Sequence, residues 1–238
     1  MPRPAPAPAD VLATMLRSDA TRPRITCYDD ATGERIELSA RVLATWAAKA
    51  ATLLAEDADV SPDSTVGIAL PAHWRALYWA LAVWSTGACL VTGPACTAAD
   101  VVVTDDPAVA ATIVQDGRYA VLVTLAALAR ANPDTPVGVV DEAAELAGYP
   151  DDFVALGEPM PDDPGWARDG DHTAYRDLVD PDRVPTGSRV RVPDALDAFL
   201  SGTLAAWAGG GSVVLIRNPN GDQAPRLAAE RVSLNLAE

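Results

Sequence analysis

The residue types that most often do chemistry are few in this chain and widely spaced. It contains two histidines, His73 and His172, and three cysteines, Cys27, Cys89 and Cys96. Zinc sites draw on Cys and His residues in pairs, roughly two to four residues apart, and the sequence has no such pair. The spacing therefore predicts no metal site, and the odd cysteine count without a Cys-x-x-Cys pair predicts no disulfide framework.

Neither a nucleophile elbow nor a complete phosphate-binding motif is present. The patterns Gly-x-Ser-x-Gly, Gly-x-x-x-x-Gly-Lys-Ser/Thr and Gly-x-Gly-x-x-Gly are all missing. The nearest approaches are Thr186-Gly187-Ser188 and Ser201-Gly202-Thr203, and neither continues into further glycines or a lysine. The second lies in a predicted helix, where Gly202 is expected to permit close packing.

A lysine-dependent reaction has a single candidate. Lys49 is the only lysine among the 18 basic residues, and it falls inside a helix predicted from an N-cap at Ser39 to about Leu54. With no partner residues at useful spacing, we assign no catalytic, cofactor-binding or metal-ligating residue and expect no cofactor.

The charge of the chain narrows the classes of partner. A net charge of −15, from 33 acidic and 18 basic residues, argues against nucleic acid and against an anionic membrane, both of which need a positive surface. The N-terminal sequence MPRPAPAPAD has no apolar signal core, and no uncharged apolar run reaches the roughly 18 residues that span a bilayer. We expect a cytoplasmic protein.

The paired aspartates are expected to be solvated turn acids, with Asp106 capping a helix that begins at Pro107.

The elements that would position any site are organised around residues 65–90. Val66, Ile68 and Leu70 lie in a short, almost wholly apolar run that is typical of a strand covered on both faces. After Pro71 the spacing becomes helical as far as Thr86, and a second strand is predicted after a Gly stop. A β-loop-α-β unit of this kind predicts a parallel sheet.

Shorter units of the same kind flank this one. We predict a hairpin in 25–38, helices and strands alternating through 101–147, and a strand, helix and strand in 189–216, followed by a last helix near 224–231 and an edge strand. A helix is also predicted at Leu125–Ala131. The Pro-, Gly- and Asp-rich segment of about 149–187 is predicted to be irregular. Residues 1–9 are expected to form a disordered tail and 10–238 a single α/β domain with a parallel or mixed sheet flanked by helices.

The order of these segments resembles a known family. ERIELSARVLATWAAKAATLL followed by SPDSTVGIALPAHWRALYWALAVWSTGACLV is similar to the opening of the AMP-forming adenylate enzymes, which include acyl-CoA synthetases. LSGTLAAWAGGGSVVLI resembles the helix, Gly-Gly and strand that follow the phosphate loop in that family. The matching positions are Asp63, Val66, Ile68, Leu70, Pro71, Gly87, Ala88, Gly209, Gly210, Val213, Val214 and Leu215.

The resemblance implies the fold of part of the family's N-terminal domain, in a truncated form. The family's Ser/Thr/Gly-rich loop ending in Pro-Lys-Gly should lie between the two blocks, where PDDPGWARDGDHTAYRDLVDPDRVPTGSR stands instead. Adenylation needs a donor-rich cradle for the triphosphate and a lysine near the reacting groups. We therefore expect a degenerate, non-catalytic relative that serves as a binding or assembly module for a possible protein partner.

Two alternatives remain open from the sequence. The chain could be a nucleotide or acyl-group binder with a remodelled cleft around His172, Thr173 and Tyr175, or a half-enzyme completed by another chain. It could also be a structural α/β protein whose likeness to the family is only general.

Overall fold

The computed structural model describes residues 6–155 and 157–237, which divide into two compact units. The first unit contains residues 6–43, 71–77 and 176–237, and the second contains Ala44–Leu70 and Tyr78–Tyr175. The chain thus passes from one unit to the other several times. The single domain expected from residue 10 onward stays a prediction.

The helices and strands alternate along much of the chain. In chain order they are α1 (Pro8–Asp19), β1 (Pro23–Asp29), β2 (Glu34–Ser39), α2 (Ala40–Glu56), β3 (Thr65–Ala69), α3 (Trp74–Thr86), β4 (Cys89–Thr92), β5 (Val101–Thr104), α4 (Pro107–Gln115), β6 (Tyr119–Leu122), β7 (Val140–Asp141), α5 (Glu142–Glu145), β8 (Pro164–Arg168), β9 (Asp171–Ala174), β10 (Arg189–Val192), α6 (Leu196–Ala208), β11 (Ser212–Arg217), α7 (Ala224–Ala229) and β12 (Leu234–Asn235).

The first unit is built on a five-stranded sheet with the order β12-β10-β11-β1-β2. Its pairs are parallel except β1 with β2, which form the predicted hairpin. One face is apolar, with Ile25, Val190 and Val213 fully buried. Helix α6 covers this face closely, because a Cβ on Gly202 would lie 3.3 Å from the Val192 side chain. The predicted packing role of Gly202 is confirmed.

The opposite face of this sheet carries a polar network beneath α7. Glu230, which follows α7, accepts hydrogen bonds from the Tyr28 hydroxyl and from the guanidinium groups of Arg35 and Arg189. Arg226 of α7 pairs with Asp30 at 2.7 Å. Helix α7 has no buried residue, so ionic contacts rather than apolar packing anchor it.

The second unit contains a seven-stranded sheet with the order β7-β6-β5-β3-β4-β8-β9. All its pairs are parallel except β8 with β9. Strands β4 and β5 are buried at every residue, as expected for a parallel sheet covered on both faces. The backbone of Cys96 packs directly on Gly67 of β3, leaving no room for a side chain there. The α/β class with helices flanking mixed sheets is confirmed.

Local capping agrees with the sequence at two helices. The Asp106 carboxylate accepts from the N–H groups of Ala108 (2.8 Å) and Val109 (3.4 Å), with Pro107 in the first turn. The Ser39 hydroxyl accepts from the N–H of Val42 at 3.3 Å. Both N-caps were predicted from the sequence and both are confirmed.

Three local predictions were wrong. No helix forms at 125–131, where Leu128 is 91% exposed; a stripe with no apolar surface to pack against does not sustain a helix. The irregular segment of 149–187 contains the β8–β9 hairpin at the edge of the second sheet, and Trp166 anchors it by donating to Thr92 Oγ1 at 2.9 Å. Helix α1 begins at Pro8, inside the expected tail; residues 1–5 lie outside the described residues.

The part of the chain that the structure describes lacks two kinds of feature. No helix there is long and apolar enough to cross a membrane. No group of three or more His, Cys, Asp and Glu side chains there could hold a metal ion.

Candidate functional site

Polar side chains gather where parallel strands of the first sheet end. Asp29 is the last residue of β1, Arg217 is the last residue of β11, and Asp194 lies two residues beyond β10. Ligands of open α/β sheets bind at the carboxyl ends of the strands, because the backbone there opens into loops. We call Asp29, His73, Asp194, Arg217 and Asn218 the carboxyl-edge cluster; all five belong to the first unit.

An ion pair forms the centre of the cluster. The Arg217 guanidinium donates to Asp29 Oδ2 at 2.9 Å, and both side chains are largely buried, at 14% and 10% exposure. The other oxygen, Oδ1, accepts from Asn218 Nδ2 at 3.0 Å and from the N–H of Ala31 at 2.9 Å. Burial raises the pKa of Asp29, but the hydrogen bonds from Asn218 and Ala31 and the charge of Arg217 outweigh it and leave the pKa below its usual value. Asp29 is therefore ionised at neutral pH.

Asn218 holds the cluster in an uncommon backbone conformation. Its φ is +47°, in the left-handed region that asparagine tolerates better than most residues. In this conformation its N–H donates to Asp194 Oδ2 at 3.2 Å while its side chain reaches Asp29. Burial, the largest influence on Asp194, raises the pKa of that carboxyl above its ordinary value.

His73 brings the start of α3 to the same cluster. The N–H of Trp74 bonds to the Cys27 sulfur on β1, which lies on the same strand face as Asp29. Nδ1 of His73 accepts the N–H of Arg75 at 3.2 Å, so the neutral ring carries its proton on Nε2. Burial above all, and then the charges of Arg217 and Arg75, lower the pKa of His73 to about 3. The ring is neutral at physiological pH and offers Nε2–H as a donor.

The cysteines are suited to packing rather than nucleophilic attack. All three are free and buried. Burial raises the pKa of Cys27 to about 12 and that of Cys89 to about 11, so little thiolate exists at neutral pH.

Lys49 has three acceptors inside the second unit. Its ammonium group donates to the carbonyl oxygens of Ala147 (3.0 Å) and Tyr149, and it pairs with Asp151 at 2.7 Å. The Lys49 side chain is only 12% exposed. An ammonium has three N–H donors, so these contacts account for all of them and tie the chain at 147–151 to α2.

We expect Lys49→Met to lower the free energy of unfolding by about 1–3 kcal/mol, because two carbonyl groups and the Asp151 carboxylate lose a charged donor while the apolar stem is kept. Urea unfolding followed by circular dichroism measures this change. Arg176→Met, at a 57% exposed position, is the control and should shift stability by less than about 0.5 kcal/mol. Equal stability of the Lys49 variant and the parent would contradict the structural role of this lysine.

The two short Gly/Ser/Thr runs do not form phosphate cradles. In the turn at 186–188, the Gly187 N–H donates to the Gly209 carbonyl at 2.8 Å and the Ser188 N–H donates to the Pro185 carbonyl at 3.2 Å. Backbone donors that already bond to carbonyl groups cannot serve an anion. The run at 201–203 lies within α6, with Gly202 and Thr203 buried.

The residues proposed for a remodelled cleft do not line one surface. His172 is exposed and Thr173 is half-buried on β9, and neighbouring residues of a strand point to opposite faces. Tyr175 is buried, with its hydroxyl donating to the Ala88 carbonyl at 2.8 Å. Burial raises the pKa of Tyr175 well above its usual value, as expected for a structural phenol.

The carboxyl-edge cluster was missed by sequence reasoning. From the sequence, Asp29 belongs to an aspartate pair expected to be solvated turn acids, and no site role is assigned to His73. Asp29 and Arg217 are 188 residues apart in the sequence, and only the pairing of β1 with β11 brings them together. The usable signal was positional, since Asp29, Asp194 and Arg217 each lie at or just after the end of a predicted strand.

Comparison with known proteins gives one close match in sequence. No family model matches the chain. The TIGR03089 family protein of Mycobacterium tuberculosis (strain ATCC 25618 / H37Rv) is 39% identical over 236 residues, which cover 94% of this chain and 95% of that protein.

Solved structures match at the level of the fold. The chain superposes on the acyl-CoA synthetase of Brucella canis with a TM-score of 0.72 at 17% identity, covering 98% of this chain and 48% of that one. The putative long-chain-fatty-acid CoA ligase of Rhodopseudomonas palustris CGA009 gives 0.74 at 19% identity, covering 97% and 63%. The N-terminal domain of FACL13 from Mycobacterium tuberculosis gives 0.69 at 15% identity, covering 97% and 62%.

The covered shares show which part of these larger structures the chain corresponds to in size. The chain spans less than two thirds of each of the three structures, and almost all of it is superposed. The resemblance to the N-terminal part of the adenylate-forming enzymes, predicted from the sequence, is confirmed for the fold. A merely general likeness of α/β sheets is not enough to account for it.

Proposed function

This chain belongs to the TIGR03089 family, and from that premise and its adenylate-forming fold we propose that it is a binding module that does not catalyse ATP-dependent ligation. The contacts of Lys49 carry the proposal. The reaction that the fold supports elsewhere in the superfamily needs a positive group free to approach the phosphate as charge develops. In this chain the only ammonium side chain already bonds to two carbonyl groups and a carboxylate.

A second observation supports the same proposal. A nucleotide triphosphate is held by backbone N–H groups that point into an open loop. At the nearest sequence counterpart of such a loop, the Gly187 and Ser188 N–H groups bond to carbonyl oxygens of the fold. A phosphate cradle would form here only if these two hydrogen bonds broke, and the same bonds fix the turn that leads into β10.

A small-molecule ligand is the second candidate function, and the carboxyl-edge cluster favours it. The cluster combines a buried neutral imidazole, a guanidinium and an asparagine in a left-handed conformation. Side chains held in uncommon backbone conformations occur often at binding sites. The leading proposal has a partner protein as the bound species. The second candidate function has a small molecule bound at the carboxyl-edge cluster.

The test is ATP–pyrophosphate exchange with the purified full-length chain and a panel of short-, medium- and long-chain carboxylic acids and aromatic acids. We expect no exchange above the protein-free background, while an acyl-CoA synthetase assayed in parallel exchanges readily. Exchange that depends on the acid and on Mg-ATP would overturn the proposal.

A companion measurement separates the half-enzyme alternative. Thermal unfolding is recorded with Mg-ATP and with matched magnesium and inorganic phosphate. Ligand that binds only the native state stabilises it by about 2.7 kcal/mol at a hundredfold excess over Kd. We expect Mg-ATP to add nothing beyond phosphate. A larger, saturable effect of Mg-ATP would instead favour a nucleotide site waiting for a second chain.

A further inference from the structure

The loop between β11 and α7 contains the dipeptide Asn220-Gly221, and both residues are exposed. Within residues 6–155 and 157–237, neither the Asn220 side-chain amide nor the Gly221 N–H forms a hydrogen bond. Gly221 has a φ of +71°, and a Cβ built on it would meet nothing within 4 Å. The side-chain carbonyl carbon of Asn220 and the nitrogen that follows it in the chain are therefore both open to reaction and to water.

The structure describes all four asparagines of the chain, and the other three lack such a neighbour. Asn132 and Asn218 are each followed by proline, whose nitrogen carries no proton to lose. Asn235 lies in β12, and the N–H of the next residue, Leu236, donates to a carbonyl of β10 at 2.9 Å. This leaves the asparagine of the β11–α7 loop as the one whose following nitrogen is both protonated and unbonded.

The main chain around this nitrogen is held in place. The Asn220 N–H donates to Asp30 Oδ2 at 2.8 Å, and the Asn220 carbonyl oxygen accepts from Gln223 Nε2 at 2.8 Å. The Gln223 amide is itself oriented, because its Oε1 accepts from Arg226 Nη1 at 3.0 Å and its Nε2 also donates to Asp30 Oδ2 at 3.2 Å. Three side chains of the first unit thus position the peptide group that joins Asn220 to Gly221 and leave its nitrogen free.

The hydrogen bond from Gln223 falls on the atom where negative charge develops. When the Gly221 nitrogen loses its proton, the charge of the peptide group is shared with the carbonyl oxygen of Asn220. A donor already positioned at an oxygen that gains charge stabilises that charge, as the donors of an oxyanion hole do. The Gln223 amide therefore lowers the free-energy cost of forming the nitrogen nucleophile.

We propose that Asn220 is a site of self-modification, at which the deprotonated Gly221 nitrogen attacks the side-chain carbonyl carbon and Gln223 promotes the attack. The new N–C bond forms as the bond to Nδ2 breaks, and the amide nitrogen takes up a proton from water and leaves as ammonia. Water then opens either C–N bond of the resulting cyclic imide, which gives aspartate or an isoaspartate linkage with no oxidation or reduction. This inference goes beyond the proposed function and does not depend on it.

Conversion would change the attachment of α7, which has no buried residue. The isoaspartate linkage adds one carbon to the main chain between the N–H that bonds to Asp30 and the peptide group that bonds to Gln223. It also adds a negative charge beside Asp30. Both changes weaken the contacts of this loop, so we expect the α7 amides of the isoaspartate form to exchange hydrogen severalfold faster than those of the unconverted chain.

Peptide-resolved mass spectrometry of the full-length chain tests the site. The protein is incubated at neutral and at mildly alkaline pH, and trypsin then releases residues 218–226 as one peptide. We expect the mass change of amide-to-acid conversion at Asn220 and not at Asn218, with a rate that rises with hydroxide concentration and an isoaspartate isomer that separates by chromatography. No conversion at Asn220, or equal conversion at Asn235, would overturn the proposal.

A substitution of Gln223 separates positioning by the fold from the effect of local sequence. Gln223→Ala should slow conversion in the folded chain by roughly two- to tenfold, the rate equivalent of one neutral hydrogen bond, and should leave conversion of a synthetic 218–226 peptide unchanged. Gln115→Ala, at the exposed last residue of α4, is the control and should have no effect. A folded Gln223→Ala chain that converts as fast as the parent, or equal slowing in the peptide, would refute the role of Gln223.

Discussion

Replacing Gly67 with alanine is expected to destabilise the second unit by about 3 kcal/mol or more. A Cβ at this position would overlap the carbonyl oxygen of Cys96 and lie 2.7 Å from its carbonyl carbon, well under the distances that real Cβ atoms show. The obstacle is backbone on both sides, in the centre of a parallel sheet, so no side chain can rotate away. Overpacking of this kind costs about 1–3 kcal/mol and sometimes more, and we place Gly67→Ala at or above the upper end.

Chemical denaturation followed by tryptophan fluorescence measures the effect of Gly67→Ala. Gly148→Ala is the matched control, because a Cβ there meets nothing within 4 Å and the residue has no positive φ. The control should unfold within about 0.5 kcal/mol of the parent. A Gly67→Ala protein as stable as its control would show that Cys96 and β3 are farther apart than the structure places them.

Glu230→Gln is expected to produce the largest electrostatic loss. Glu230 is 12% exposed and accepts from Tyr28, Arg35 and Arg189. Burial raises its pKa, but these hydrogen bonds lower it more, to about 2 from an ordinary 4.5. A lowering of the pKa by this amount corresponds to about 2–3 kcal/mol of stability at neutral pH. The neutral amide of the Glu230→Gln variant lacks this contribution.

The sign of the pH dependence follows from that depressed pKa. The contribution of Glu230 is fully present above pH 4.5 and is lost as the pH falls from 4.5 toward 2, because the unfolded carboxyl takes up its proton first. Unfolding free energy measured across this range should fall in the parent and be flatter in Glu230→Gln.

The control for Glu230 is a more exposed acid of the same sheet face. Glu37 is 38% exposed and pairs with Arg35 at 3.2 Å, and exposed pairs contribute about 0–1 kcal/mol. Glu37→Gln should therefore leave the fall of the unfolding free energy between pH 4.5 and 2 almost unchanged. Equal effects of the two substitutions would refute the role given to Glu230.

Burial patterns explain which elements could be predicted. Strands β3, β4 and β5 are apolar on both faces, and the cap at Asp106 is a local signal, so the residues themselves indicate their structure. The β8–β9 hairpin is different. It lies at a sheet edge among prolines, glycines and aspartates, and its anchor is the contact of Trp166 with Thr92, 74 residues earlier. Such a contact leaves no periodic pattern in the sequence.

The candidate site could not be predicted for a related reason. Asp29, His73 and Arg217 are ordinary residues for a turn, a helix start and a strand end, and each has an adequate local explanation. Their shared environment arises from the register of β1 with β11 and from the bond between Trp74 and Cys27. The sequence indicated where the strands end, but not that Asp29 and Arg217 form an ion pair at these ends.

The enclosed position of Lys49 bears on how the protein can be regulated. Enzymes that acylate, methylate or attach a tagging polypeptide to lysine need an accessible ammonium group. The one lysine side chain is 12% exposed and fully bonded, and arginine provides the other basic side chains of the chain. Control of this protein by modification of lysine side chains would first require α2 to separate from the chain at 147–151, which makes the folded state itself resistant to that whole class of signal.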